Sequence, residues 1–118
     1  MPVIVINLVK YKDVLTPELN VETDVVSIPA GDHPFMVEGY IDLSNMEDGD
    51  TVTIKEYLSA DESTWSLYAS QTFSGQQAEP LLRFHMKTTP MYRVTITQTS
   101  GTAKQFKYWF IKEELEVV

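Results

Sequence analysis

Phe35-Met36-Val37-Glu38-Gly39-Tyr40-Ile41-Asp42-Leu43 alternates with a period of two, placing Phe35, Val37, Gly39, Ile41 and Leu43 on one side of an extended chain and Met36, Glu38, Tyr40 and Asp42 on the other. This is the pattern of a half-buried strand. Gly39, on the apolar side, marks a bulge or a close approach of another backbone. Downstream, Asn45-Met46-Glu47-Asp48-Gly49-Asp50 reads as a turn, and residues 51–58 resume the strand with Val52, Ile54 and Leu58 inward. Residues 65–73 follow with Trp65, Leu67, Ala69 and Phe73 on one face. A four-residue loop over 60–63 sets Leu58 against Trp65, Glu56 against Leu67 and Ile54 against Ala69, so an antiparallel hairpin is expected.

Further along, residues 81–86 form a short strand between Pro80 and Pro90. Residues 91–99 and 104–112 read as a second hairpin around Ser100-Gly101-Thr102. A three-residue loop there opposes Ile96 to Phe106, Val94 to Tyr108 and Tyr92 to Phe110 inside, with Arg93 opposite Trp109 outside. A two-residue loop is rejected because it opposes Lys107 to Val94. Upstream, Pro29-Ala30-Gly31-Asp32 closes a strand over 21–28. Before it, Val3-Ile4-Val5-Ile6-Asn7-Leu8-Val9 is apolar on both faces and lacks the cationic lead of a secretory signal, so it reads as a strand that is either central or held by a neighbour. Residues 10–20 read as a linker, in which Thr16-Pro17-Glu18 can start one helical turn. The expected organisation is an arm and linker over 1–20 and a sandwich domain over 21–118. About eight strands at 10- to 16-residue spacing predict an all-β, antiparallel β-sandwich, either jelly-roll or immunoglobulin-like.

Composition agrees. Val, Ile, Thr and the aromatics outnumber Ala and Leu by about three to one, and branched and aromatic side chains favour a pleated surface. A chain of 118 residues forms one domain and buries roughly two-thirds of its unfolded surface. No apolar run approaches the roughly 20 residues of a membrane helix. A net charge of -8 opposes phosphate backbones and anionic lipid, so neither nucleic acid nor membrane is an expected partner. The absence of cysteine removes disulfides, thiol nucleophiles and Cys-ligated zinc.

Little in the sequence points to catalysis. His33 lies in a turn and His85 on the polar side of a strand, too far apart in sequence for a local metal motif, while Ser74-Gly75 and Ser100-Gly101 fit plain turns. No enzyme activity and no cofactor are expected. Asp42, Asn45, Glu47, Asp48 and Asp50 crowd an oxygen-rich turn and are calcium candidates, though a tight solvated turn explains the same residues and the ligand spacing of a calcium loop is absent. Glu56, a carboxylate on a core-facing position, calls for a basic partner or a place at the sheet margin. Tyr40, Tyr57, Tyr68 and Trp109 fall outward, where they can stack on sugar rings, meet a second subunit or pack within the chain. The contact residues expected from this reading are Val3, Ile4, Val5 and Ile6 in the arm, together with Tyr57, Tyr68, Arg93 and Trp109, the guanidinium lying over the indole.

The succession Val37-Glu38-Gly39-Tyr40-Ile41-Asp42-Leu43, Asp48-Gly49-Asp50-Thr51-Val52-Thr53-Ile54-Lys55-Glu56-Tyr57 and Val94-Thr95-Ile96-Thr97-Gln98-Thr99-Ser100-Gly101 resembles small β-sandwich proteins encoded in viral and proviral gene clusters. The resemblance implies a virion component: a capsid, capsid-decoration, tail or spike subunit that meets copies of itself or other virion proteins. A carbohydrate-binding sandwich that takes a glycan is the alternative, because jelly rolls serve both roles.

Overall fold

The computed structural model describes residues 3–117. The chain forms eight strands: β1 (Val3–Leu15), β2 (Thr23–Ile28), β3 (Phe35–Asp42), β4 (Thr51–Leu58), β5 (Ser66–Ser74), β6 (Leu81–Thr89), β7 (Tyr92–Ser100) and β8 (Phe106–Val117). They build two four-stranded antiparallel sheets, ordered β1-β8-β3-β6 and β2-β7-β4-β5. The pairs β1·β8, β2·β7, β3·β6 and β4·β5 are nested in sequence, like a long doubled ribbon folded over on itself, and β8·β3 and β7·β4 seal the two sheets. This order is a jelly roll, which decides between the two sandwich topologies the sequence allowed.

The core lies between the sheets. Phe35, Val37 and Ile41 of β3 with Phe106 and Phe110 of β8 face Val52, Ile54, Tyr92, Val94 and Ile96 of the second sheet, all buried. The parity read from residues 35–43 is therefore the packing parity. Gly39 carries out its expected role: a Cβ there would collide with the Phe110 ring and the Trp109 carbonyl, so the glycine lets an aromatic lie flat against the β3 backbone.

Several expectations are corrected. β7 and β8 are not a hairpin, because they lie in opposite sheets and the segment between them crosses over. The aromatic residues assigned to one inner face do meet in the core, but from both sides of it, since in-plane pairing and face-to-face packing demand the same parity. Arg93 and Trp109 consequently stand on opposite outer faces.

The β4–β5 register is also different. Tyr57 opposes Leu67 and Glu56 opposes Ala69, leaving Tyr68 as the extra residue of a bulge. Asp61 draws the N–H groups of Ser63 and Thr64 and the hydroxyl of Ser59 onto one carboxylate oxygen, and this holds the loop open beyond four residues. Leu67 is thereby exposed, as an edge strand permits.

Residues 10–15 are not a linker but the second half of β1, with Tyr11 and Leu15 packed against the core. Thr16-Pro17-Glu18 makes no helical turn; Pro17 is buried and the reversal is closed by the Val21 N–H donating to the Glu18 carbonyl, with Asn20 at φ 64. The residues set apart as an arm thus enter the first sheet as its edge strand beside β8.

Gly39→Ala must push a methyl group into backbone and ring, and we expect it to destabilise the fold by about 3 kcal/mol, at the upper end for overpacking. Urea unfolding measures this; a loss within experimental scatter would mean that β3 and β8 are not in van der Waals contact at this point.

Candidate functional surfaces

Beyond β3, β1 and β8 continue as a two-stranded ribbon. Val3, Val5 and Asn7 pair with Val117, Leu115 and Glu114, and β8 leaves the ladder with β3 after Glu114 opposite Phe35. A bulge at Ile6 interrupts the pairing and adds twist. Val3, Ile4, Val5, Ile6 and Leu8 are all exposed, Leu8 at 59% and Val3 at 57%. Paired on one side only, this stretch presents apolar side chains on both faces and a free backbone edge with no charge before Lys10.

The outer face of the second sheet is internally engaged. The Arg93 guanidinium lies 4.9 Å from the centre of the Tyr57 ring and its Nε donates to Asp24 at 2.6 Å. Tyr57 and Thr95 both donate to Glu22. The Thr95 bond first and the Tyr57 bond second hold the Glu22 carboxyl below the usual range, and the same bond raises the Tyr57 phenol. Arg93 thus finds an aromatic partner, but Tyr57 rather than Trp109. Tyr68, at the β5 bulge, is exposed. Within the core, the partner of Glu56 is a phenol instead of a base: fully buried Tyr92 donates to it at 2.6 Å, and burial, then this bond, drives the phenol pKa far upward.

The outer face of the first sheet carries Trp109 with Tyr40 directly opposite, ring centres 6.4 Å apart. A shallow trough of about 250 Å³ runs beside them, lined by Lys12, Asp42, Leu81 and Lys107 among others. Sequence reasoning named both aromatics but missed the lysines. Lys12 was hidden in the supposed linker, although Tyr11 and Leu15 would have set the strand parity.

The acidic turn disperses into separate tasks. Asp42 accepts from the Ser44 N–H, and Asn45 donates to the Gln105 carbonyl. Glu47 and Asp48 are exposed, but Asp50 is buried. It accepts from the Glu47 and Thr102 N–H groups and pairs with Lys104 at 2.9 Å. Its own carbonyl receives the Gly75 N–H. Among the described residues, no three His, Cys, Asp or Glu side chains converge as a metal site. Burial alone would raise the Asp50 pKa, but the bonds from Glu47, Lys104 and Thr102 outweigh it and hold the carboxyl below 3.8. Lys104 is correspondingly raised, chiefly by its bond to Asp50.

No protein-family model matches the sequence, and no curated protein matches it. Solved structures do. PirA matches with a TM-score of 0.53 at 16% identity, over 88% of this chain and 93% of its own. A subunit of the disulfide-linked pili of Bacillus endospore appendages matches with a TM-score of 0.58 at 14% identity, over 91% of this chain and 88% of its own. VP2 of the infectious bursal disease virus subviral particle matches with a TM-score of 0.52 at 8% identity, over 92% of this chain. The chain spans only 33% of that protein. At these identities the likeness is one of fold.

Asp50, Glu22 and Asp61 all keep their protons less tightly in the folded chain than the ordinary values of 3.8 for Asp and 4.5 for Glu. The unfolded chain therefore binds more protons through acid pH, and the stability these carboxylates contribute is complete above about pH 5 and lost as pH falls through 4 and below. Urea midpoints should follow that course, and Asp50→Asn should flatten part of the acid loss while lowering stability at pH 7. An unchanged acid slope in Asp50→Asn would separate Asp50 from acid unfolding.

Proposed function

We propose that this chain is a non-enzymatic structural subunit of a virus particle, a capsid, decoration, tail or spike component that works through contacts between subunits. The observation that carries this reading is the ribbon: five exposed aliphatic residues within residues 3–8, on a strand whose outer edge is unpaired. Such an edge is a template for strand addition and is ordinarily blunted by charge or proline. Here the described edge stays uncharged up to Lys10, which is the composition of a surface that another chain covers.

The fold supports the reading without identifying the particle. Jelly rolls of this size occur in a subviral particle and in a pilus among the structures that match. The pili are described as disulfide-linked; this chain has no cysteine, so disulfides do not link its copies. Net charge of -8 repels like subunits at long range, so association strengthens as salt screens the repulsion. The catalytic part of the proposal rests on the scattered His33 and His85, one in a loop and one opposite Glu38 on β6.

Removing residues 1–20 would strip β8 of one of its two partner strands and take Tyr11 and Leu15 from the core, so substitution is the cleaner test. Ile4→Lys combined with Ile6→Lys should raise the dissociation constant of the assembly about a hundredfold, the worth of two apolar anchors. The monomer should keep its melting temperature, because both side chains are solvent-facing. Light scattering coupled to size exclusion reads the outcome, and full assembly of the double variant would overturn the proposal.

A further inference from the structure

The outer face of the first sheet holds a site that the ribbon leaves open. Cross-strand register aligns Lys12, Trp109 and Tyr40 in one row, and Lys107, Asp42 and Leu81 in the next. With neighbouring strands about 4.8 Å apart, the first row spans about 10 Å, the width of one hexose with its substituents. The two rings are tilted by 33°, so indole and phenol form an open, flat-sided trough instead of a closed stack. Trp109 is 36% exposed and Tyr40 37%, which leaves ring surface free for a ligand.

Charge adds to the chemistry of this trough. Arg83, Arg93, Lys104 and Lys112 each lie within 4.0 Å of a carboxylate, whereas among the described residues Lys10, Lys12, Lys55, Lys87 and Lys107 do not, and Lys12 and Lys107 are the two of these that line the trough. The carboxylate of the trough, Asp42, stands across the ladder from Lys107 but accepts from the Ser44 N–H. Two uncompensated ammonium groups thus flank an aromatic platform on a chain of net charge -8.

Each feature selects part of a ligand. A flat aromatic surface takes the C–H face of a sugar ring, ammonium groups take a carboxylate, and a carboxylate such as Asp42 accepts hydroxyl hydrogens. A polyanion fits less well. Two lysines suffice for one charge, and every further phosphate would meet the net negative field of the chain. We infer that the trough binds a carboxylated saccharide, with one acidic pyranose lying against Trp109 and Tyr40 and its carboxylate between Lys12 and Lys107. This site does not depend on assembly, because every residue in it comes from one chain.

The test uses the full chain with Trp65→Phe, so that indole fluorescence reports Trp109. The probes are 3′-sialyllactose and trigalacturonate, with lactose and methyl-esterified trigalacturonate as neutral counterparts and a short oligothymidylate as a polyanion. At least one acidic saccharide should bind saturably, and its neutral counterpart should not. Lys12→Gln and Lys107→Gln should each weaken binding about tenfold, the loss of one charge-assisted hydrogen bond, without moving the melting temperature. Trp109→Ala should abolish binding as read by calorimetry. The inference is overturned by no binding of either acidic saccharide at about 10 mM, beyond the weak end of useful recognition. Equal binding of the neutral counterparts, binding of oligothymidylate alone, or undiminished affinity in the double lysine variant would overturn it as well. The Ile4→Lys, Ile6→Lys protein should bind as the parent does, so a failed assembly experiment and a failed binding experiment remain distinct.

Discussion

A jelly roll has no backbone hydrogen bonds between its two sheets, and at one end of this sandwich the carboxylate of Asp50 supplies the tie that the ladders cannot. It sits at the entry to β4, in the second sheet, and reaches two crossovers that carry the chain back to the first. Its side chain takes the Thr102 N–H and Lys104 between β7 and β8, while its carbonyl takes the Gly75 N–H between β5 and β6. Gly101 has to be glycine for this to close: at φ 88 it adopts a left-handed conformation, and any Cβ there would run into the Asp50 carboxylate. A buried charge is costly unless fully bonded, and Asp50 is bonded on both oxygens. Among the described residues no buried side-chain polar atom lacks a partner.

How much of this was written in the sequence depends on which dimension is asked about. Period-two alternation names faces, and Phe35, Val37, Ile41, Val52, Ile54, Val94, Ile96, Phe106 and Phe110 are all where their parity puts them. Parity is blind to sheet membership. A residue facing inward from the first sheet and one facing inward from the second obey the same rule, so β7 and β8 mimicked a hairpin and Arg93 was placed beside the wrong aromatic. Local chemistry hid the rest: Asp61 reshaped a loop through three hydrogen bonds that no hydrophobic count detects, and the charged stretch Lys10, Lys12, Asp13 disguised an edge strand as a linker.

The candidate site was legible in part for the same reason. Exposed aromatics are visible as apolar residues of outward parity, and Trp109 and Tyr40 were read that way. Lys107 stands two residues from Trp109 on the same strand, but Lys12 became a neighbour only through the pairing of β8 with β1, a strand remote from it in sequence. Asp50 shows the converse, an acidic residue read with its exposed neighbours whose role appears only once Thr102 and Lys104 are brought to it. The two outer faces then differ in kind. That of the second sheet engages Glu22, Tyr57, Arg93 and Asp24 with one another, and that of the first gathers two ammonium groups and two rings about a trough.

The nesting of the strand pairs also orders events in time. The β4·β5 turn closes over a few residues, and once it has formed, β3·β6, β2·β7 and β1·β8 each need only a modest further closure, so the sheet pairs can zip outward from the middle of the sequence. Of the eight strands β1 precedes the others in synthesis, and its partner β8 comes last. Until residues 106–117 have been synthesised, its row of aliphatic side chains lacks the strand it pairs with, and a segment prone to add to foreign strands waits longest for its own.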